Sequence, residues 1–250
     1  MSKISDRLAK LGQTETTGFG FGARALTRKI PVILTAVTVH KPQDMQDVDA
    51  DVFMMPYGSI DDSKSKTLEE VDIWGFSVSD KHEFNIEALI GSGPDFLVIE
   101  TEATPGSVLC GADTGKGLVL DWNLSENRAK AIDNGPFDFL ILDGSSIMFP
   151  FSVGGVLELH EQITHYSRHI FLRLTQLPGD SDLELLRDIG ISALLYDVSD
   201  AKATEFAKLR DSISRLDPRK DKRSAAAVLP TGEASLGEAD ATEHEEDDWD

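Results

Sequence analysis

Sulfhydryl chemistry is nearly missing from this chain. Cys110 is the one cysteine in 250 residues, so no internal disulfide can form and a reducing, cytoplasmic setting is expected. Cys110 itself reads as a buried, inert thiol rather than a nucleophile. No run of 18 apolar residues occurs, so no membrane span and no membrane partner are expected. Met1-Ser-Lys-Ile-Ser-Asp6 has no apolar core of the kind a secretory signal needs. Cations are scarce as well: 24 Lys and Arg against 44 Asp and Glu give a net charge of −20. A nucleic-acid surface requires clustered Lys and Arg, so no nucleic-acid partner is expected.

Much of the negative charge is local. From Thr231 onward the chain has nine acids and no base, which leaves about −11 for the rest, ordinary for an acidic soluble domain. Residues 217–250 therefore read as a basic cluster (with Arg219, Lys220, Lys222 and Arg223) followed by a disordered acidic tail too polar to fold. The tail is either a solvating segment or a docking peptide for a protein partner, ending in Asp247-Asp-Trp249-Asp250.

What the chain does have is short apolar runs, each closed by an acid. Phe96-Leu-Val-Ile-Glu100, Leu118-Val-Leu-Asp121, Phe139-Leu-Ile-Leu-Asp143 and Ala193-Leu-Leu-Tyr-Asp197 read as strands buried on both faces, as in a parallel sheet. Strands are predicted at 32–39, 51–55, 73–78, 95–100, 117–121, 137–143, 169–174 and 191–197. Most start about 20–22 residues apart. Helices are predicted between them: 67–71, 81–90 capped by Asp80, 126–134 capped by Ser125, 153–166, 181–189 ending at Gly190, and 201–216. Thr101–Lys116, with Pro105, Gly106, Gly111 and Gly115, has room for a turn or two only. Residues 1–30 read as a short helix, Ile4–Leu11, and a Gly-rich linker, Gly18–Arg24. That linker precedes a strand rather than following one, so it is not a phosphate loop.

Eight strands, each followed by a helix or its remnant, predict an α/β fold of the (β/α)8 TIM-barrel type over residues 31–216, with an open doubly wound sheet as the alternative. With phrases such as Gly93-Pro-Asp-Phe-Leu-Val-Ile-Glu100 and Gly190-Ile-Ser-Ala-Leu-Leu-Tyr-Asp197, the pattern resembles the broad aldolase-type (β/α)8 barrel superfamily. The resemblance is one of fold and implies no particular activity.

In such a barrel the carboxyl strand ends build the mouth. Strand ends bring Thr38 and His40, Tyr57, Ser77 and Ser79, Glu100 and Glu102, Asp121 and Asn123, Asp143 and Ser145, Arg173 and Thr175, and Asp197 and Ser199. Glu100, Asp121 and Asp143 come from consecutive strands and are the candidate ligands for Mg²⁺ or Mn²⁺, with Arg173 clamping a small-molecule anion. Without metal the same acids would exchange protons. Acids at strand ends also cap helices, which is the purely structural reading. His160 and His165 are five apart, one too many for a zinc helix. No lysine ends strands four to eight, against a Schiff base, and the loops after strands seven and eight lack a Gly-rich phosphate grip. There is no flavin or nicotinamide signal. The sixth loop, Asp143-Gly-Ser-Ser-Ile-Met-Phe-Pro-Phe-Ser152, is a lid, a packing element or a subunit contact, so an oligomer is open. Two functions remain: a small-molecule lyase or hydrolase, or a non-catalytic barrel that binds partners through its sixth loop and tail.

Overall fold

Apolar runs with no polar face must be covered on both sides, and in the computed structural model eight of them close into a parallel barrel. The structure describes residues 2–17, 26–58, 68, 70–80, 85–111, 113–200 and 202–219. Contacts divide the chain into two units, 1–219 and 220–250, and every described residue lies in the first. Lys220, Lys222, Arg223, the acidic tail and the glycine-rich Gly18–Arg24 fall outside the described residues. So do Thr67 and Glu69 of the 67–71 helix.

The elements in order are α1 (Lys3–Ala9), β1 (Thr14–Thr17), β2 (Leu26–Lys29), β3 (Leu34–Thr38), β4 (Val52–Pro56), β5 (Trp74–Val78), α2 (Ile86–Gly91) and β6 (Phe96–Ile99). There follow β7 (Gly115–Leu120), α3 (Glu126–Asp133), β8 (Phe139–Asp143), α4 (Val153–Ile163), β9 (His169–Arg173), α5 (Asp180–Ile189), β10 (Ile191–Asp197) and α6 (Ala203–Arg215). The barrel runs β10-β3-β4-β5-β6-β7-β8-β9. It closes where Asp197 of β10 stands beside Thr38 of β3.

Side chains alternate along each strand. Leu34, Ala36, Val52, Met54, Phe96, Val98, Phe139, Ile141, Phe171, Ala193 and Leu195 fill the inside. Their neighbours face the helices, among them Leu97, Ile99, Leu140, Leu142, Leu194 and Tyr196. Phe139 stacks on Phe171 at 4.5 Å and meets Phe96 edge-on at 5.6 Å. Glycine makes room for these rings: a Cβ on Gly117 would lie 2.5 Å from the Phe139 ring.

Helix α1 closes the amino-terminal end. Its Ile4 and Leu8 are buried in the same inner cluster. The Asp95 carboxylate accepts from the Lys3 and Ile4 amides, 2.7 Å each, and Ser2 caps the first turn through the Ser5 amide. Asp138 ties this plug to the sheet by accepting from Ser5 Oγ and the Lys116 amide.

Several sequence expectations change. Residues 14–17 and 26–29 pair as an antiparallel ladder rather than forming only a linker. Asn85, not Asp80, caps the helix before β6, through the Glu87 and Ala88 amides. Asp80 instead accepts from Thr101 Oγ1. Among the described residues between β6 and β7 there is only a 3-10 turn, Gly106–Leu109, as the glycines and proline imply. The short connection leaves a groove of about 290 Å³ outside the barrel, walled by Ile99, Val108, Leu118, Ile132 and Phe137. Cys110 is exposed, not buried, because it follows that turn at the surface. Lys116 lies inside β7, buried, with its ammonium unpartnered among the described residues. Burial pulls its pKa down, against the nearby Asp138 and Cys110. Among the described residues no helix is long and apolar enough to cross a membrane.

Candidate functional site

The two-residue period that sorts the core also aims the strand ends. Counting on from the inner positions, Thr38, Ser77, Glu100, Asp121, Asp143, Arg173 and Asp197 all fall on the inward-facing set at the carboxyl end. Glu100, Asp121, Asp143 and Arg173 therefore stand on one rim.

Glu100 and Arg173 meet. The guanidinium Nη2 lies 3.8 Å from Glu100 Oε1, each side chain about one-third exposed. They belong to β6 and β9, three strands apart, so the pair reaches across the mouth. Asp143 is the register partner of Arg173 on β8. Its carboxylate turns to its own loop and accepts from the Ser145 amide at 3.0 Å. Asp121 is exposed.

The three carboxylates therefore do not gather as the sequence suggested. Glu100 is drawn to Arg173 and Asp143 to Ser145. Among the described residues no group of three or more His, Cys, Asp or Glu side chains is assembled as a cation site needs.

A second constellation forms where the barrel closes. His40, two residues past Thr38, places Nε2 3.1 Å from Asp197 Oδ2. Asp197 Oδ1 accepts from both the amide and the hydroxyl of Ser199, at 2.9 and 2.7 Å. Partial burial opposes ionisation of Asp197. The Ser199 hydrogen bonds and the adjacent imidazole outweigh it and hold the carboxyl below its usual range. Asp197 thus orients the His40 ring and does not cap the next helix, α6, whose N-cap residue is Lys202.

Other strand-end candidates turn elsewhere. Tyr57 meets Phe76 edge-on at 6.0 Å on the outer side of the sheet. Glu102 pairs with Arg128 of α3. Thr175 donates to the Ser145 carbonyl, joining two rim loops. Asn123 adopts a left-handed backbone, φ 61°, locked by two hydrogen bonds with Gln162 of α4.

Three residues had no place in the sequence reading. Trp122 donates its indole N–H to the Asp143 carbonyl. Gln162 holds Asn123. Asp182, buried on α5, accepts from the Phe151 amide at 2.9 Å and so fixes the sixth loop. In that loop Phe149 and Phe151 pack on the core and on each other, while Met148 stays exposed. An aromatic residue next to a strand-end acid, followed by Asn, is the signal that could have pointed to Trp122. Asparagine is enriched at left-handed positions.

No family model matches the chain, and no curated protein matches it. Solved structures do. Tryptophan synthase subunit alpha from Campylobacter jejuni superposes with a TM-score of 0.52 at 12% identity, covering 72% of this chain and 94% of that one. The 3-keto-L-gulonate-6-phosphate decarboxylase of Vibrio cholerae gives 0.52 at 12% identity, over 74% and 99%. Orotidine 5'-phosphate decarboxylase from Pyrococcus horikoshii gives 0.53 at 11% identity, over 73% and 100%. At such identities the likeness establishes the fold alone, a (β/α)8 barrel.

Proposed function

We propose that the chain is a small-molecule enzyme of lyase or hydrolase type acting on a monocarboxylic acid at the carboxyl-end mouth. The Glu100–Arg173 pair carries this reading. An inward arginine held, among the described residues, by a single long contact is a ready receptor for a substrate carboxylate, which would displace Glu100. Freed from Arg173, Glu100 is available to exchange a proton with the substrate. His40, oriented by Asp197, is a second proton-exchange group, since imidazole is the side chain best suited to that role near neutral pH. Asp121 and Asp143 line the same rim and can accept hydrogen bonds from substrate hydroxyl or amino groups.

Charge narrows the substrate. One arginine among the carboxylates of Glu100, Asp121, Asp143 and Asp197 suits a single negative charge and repels a dianion. The decarboxylases among the structural neighbours carry phosphate esters in their names. Here the loops after β9 and β10 read Thr175–Asp180 and Val198–Ala201, with one glycine and two acids, and no comparable grip is expected.

The test is a turnover screen of hydroxy, amino, oxo and ester-bearing monocarboxylic acids followed by mass spectrometry. It should be run with chelator and again with Mg²⁺ or Mn²⁺. One class should be consumed, and Arg173→Met and His40→Gln should each slow it by about 100-fold or more while circular dichroism shows the barrel still folded. Turnover indifferent to both substitutions would place the chemistry elsewhere. No turnover at all would favour the non-catalytic barrel. Turnover only with added cation would mean that Glu100, Asp121 and Asp143 rearrange around a metal.

A further inference from the structure

Beside the rim lies a cavity that the chemistry above leaves unused. It measures about 210 Å³; Trp122, Ile147, Met148, Phe151 and Leu159 form its apolar walls, and Ser146, Ser152 and Glu158 add polar groups at its edge. Trp122 is set there by its own hydrogen bond and by the backbone of its neighbour. Its indole is bonded to the Asp143 carbonyl. The next residue, Asn123, is kept in the left-handed region by the Gln162 side chain, which accepts from its amide at 3.0 Å and donates to its Oδ1 at 3.2 Å. Backbone held in this way gathers at ligand sites. Met148 is 67% exposed at the same cavity, and a flexible thioether adapts to a guest.

The cavity lies on the helix-facing side of the rim, next to the mouth rather than within it. Asp143 and Arg173 are register partners on adjacent strands, and the Trp122 indole rests on the Asp143 carbonyl. Two strand spacings, roughly 10 Å, therefore separate the backbone of Arg173 from this wall. An apolar cavity of about 150 Å³ already accepts benzene.

We infer that this cavity receives an aromatic-ring-sized apolar group of the same small molecule whose carboxylate Arg173 holds, which makes the substrate class an arylalkyl carboxylic acid. Only the carboxylate half of this assignment rests on the function proposed above. The ring half rests on Trp122 and its neighbours.

Three probes separate the halves on the full-length protein: propionate, 3-phenylpropionate and benzyl alcohol. Binding is read from the Trp122 indole N–H resonance, assigned with Trp122→Phe, and from ligand-detected affinity. 3-Phenylpropionate should bind at least about tenfold tighter than propionate. Benzyl alcohol should shift the Trp122 resonance in wild type and equally in Arg173→Met. Ser146→Trp, which fills the cavity, should abolish both the preference and the shift. Met148→Glu should do the same should the tryptophan variant fail to fold. Equal affinity for the two acids with an unmoved Trp122 resonance overturns the cavity, and the function proposed for Arg173 survives if propionate still needs that arginine. A Trp122 shift with benzyl alcohol but no propionate binding keeps the cavity and removes the carboxylate reading. Silence from all three probes removes both.

Discussion

At Asp197, donors compete with burial. Two hydrogen bonds from Ser199 and the His40 ring hold the carboxyl below its ordinary range. Its folded pKa lies below the unfolded value near 4, so it contributes stability above that pH and loses it as the pH falls through the folded pKa. Ser199→Ala should raise the Asp197 pKa in a carboxyl-carbon NMR titration. The stability gap between wild type and variant should be full at neutral pH and shrink on acidification below about pH 4. Lys116 has the opposite sign. Burial lowers its pKa, so the folded chain gives up that proton before the unfolded chain does, and the charged form costs stability at neutral pH. Lys116→Met removes an ammonium that is buried and unpartnered among the described residues. It should stabilise by about 1 kcal/mol in chemical denaturation, the gain fading as the pH rises toward the ordinary lysine range.

Among the elements, α1 behaves as part of the barrel. Leu8 is 2% exposed within the inner cluster, so Leu8→Ala should cost about 2–4 kcal/mol in urea unfolding despite its place near the terminus. Gly117→Ala drives a methyl into the Phe139 ring and should cost about 1–3 kcal/mol by the same measurement. The barrel strands were legible because burial on both faces writes continuous apolar runs; 191–197 was read to the residue and the others within about two. The β1–β2 ladder was not, because Thr14-Glu-Thr-Thr17 has no apolar alternation and owes its form to its partner strand. The start of α2 was misplaced because Asp80 and Asn85 are both capping residue types, and only the fold decides which one meets free amides.

For the whole molecule, a period of two placed Glu100, Asp121, Asp143 and Arg173 on one rim, but it carries no information on who meets whom. The Glu100–Arg173 pair depends on closing the barrel across three strands, and the His40–Asp197 pair on the β10–β3 seam. Neither distance is written in local sequence. For the same reason three strand-end acids in a row suggested a cation site, while the closed barrel leads Glu100 and Asp143 to other partners. Apolar rim residues such as Trp122 are invisible to a search for charged groups.

The central claim is that Arg173 is a receptor for a substrate carboxylate, with Glu100 as its stand-in. The most direct measurement follows the Arg173 Nε–H resonance of the full-length chain while propionate is added. The expected result is a saturable shift, with affinity rising about two- to fivefold in Glu100→Gln, because a surface pair worth about 0.2–1 kcal/mol no longer competes. An Arg173 resonance that stays still to saturation, or an affinity unchanged by Glu100→Gln, would contradict it.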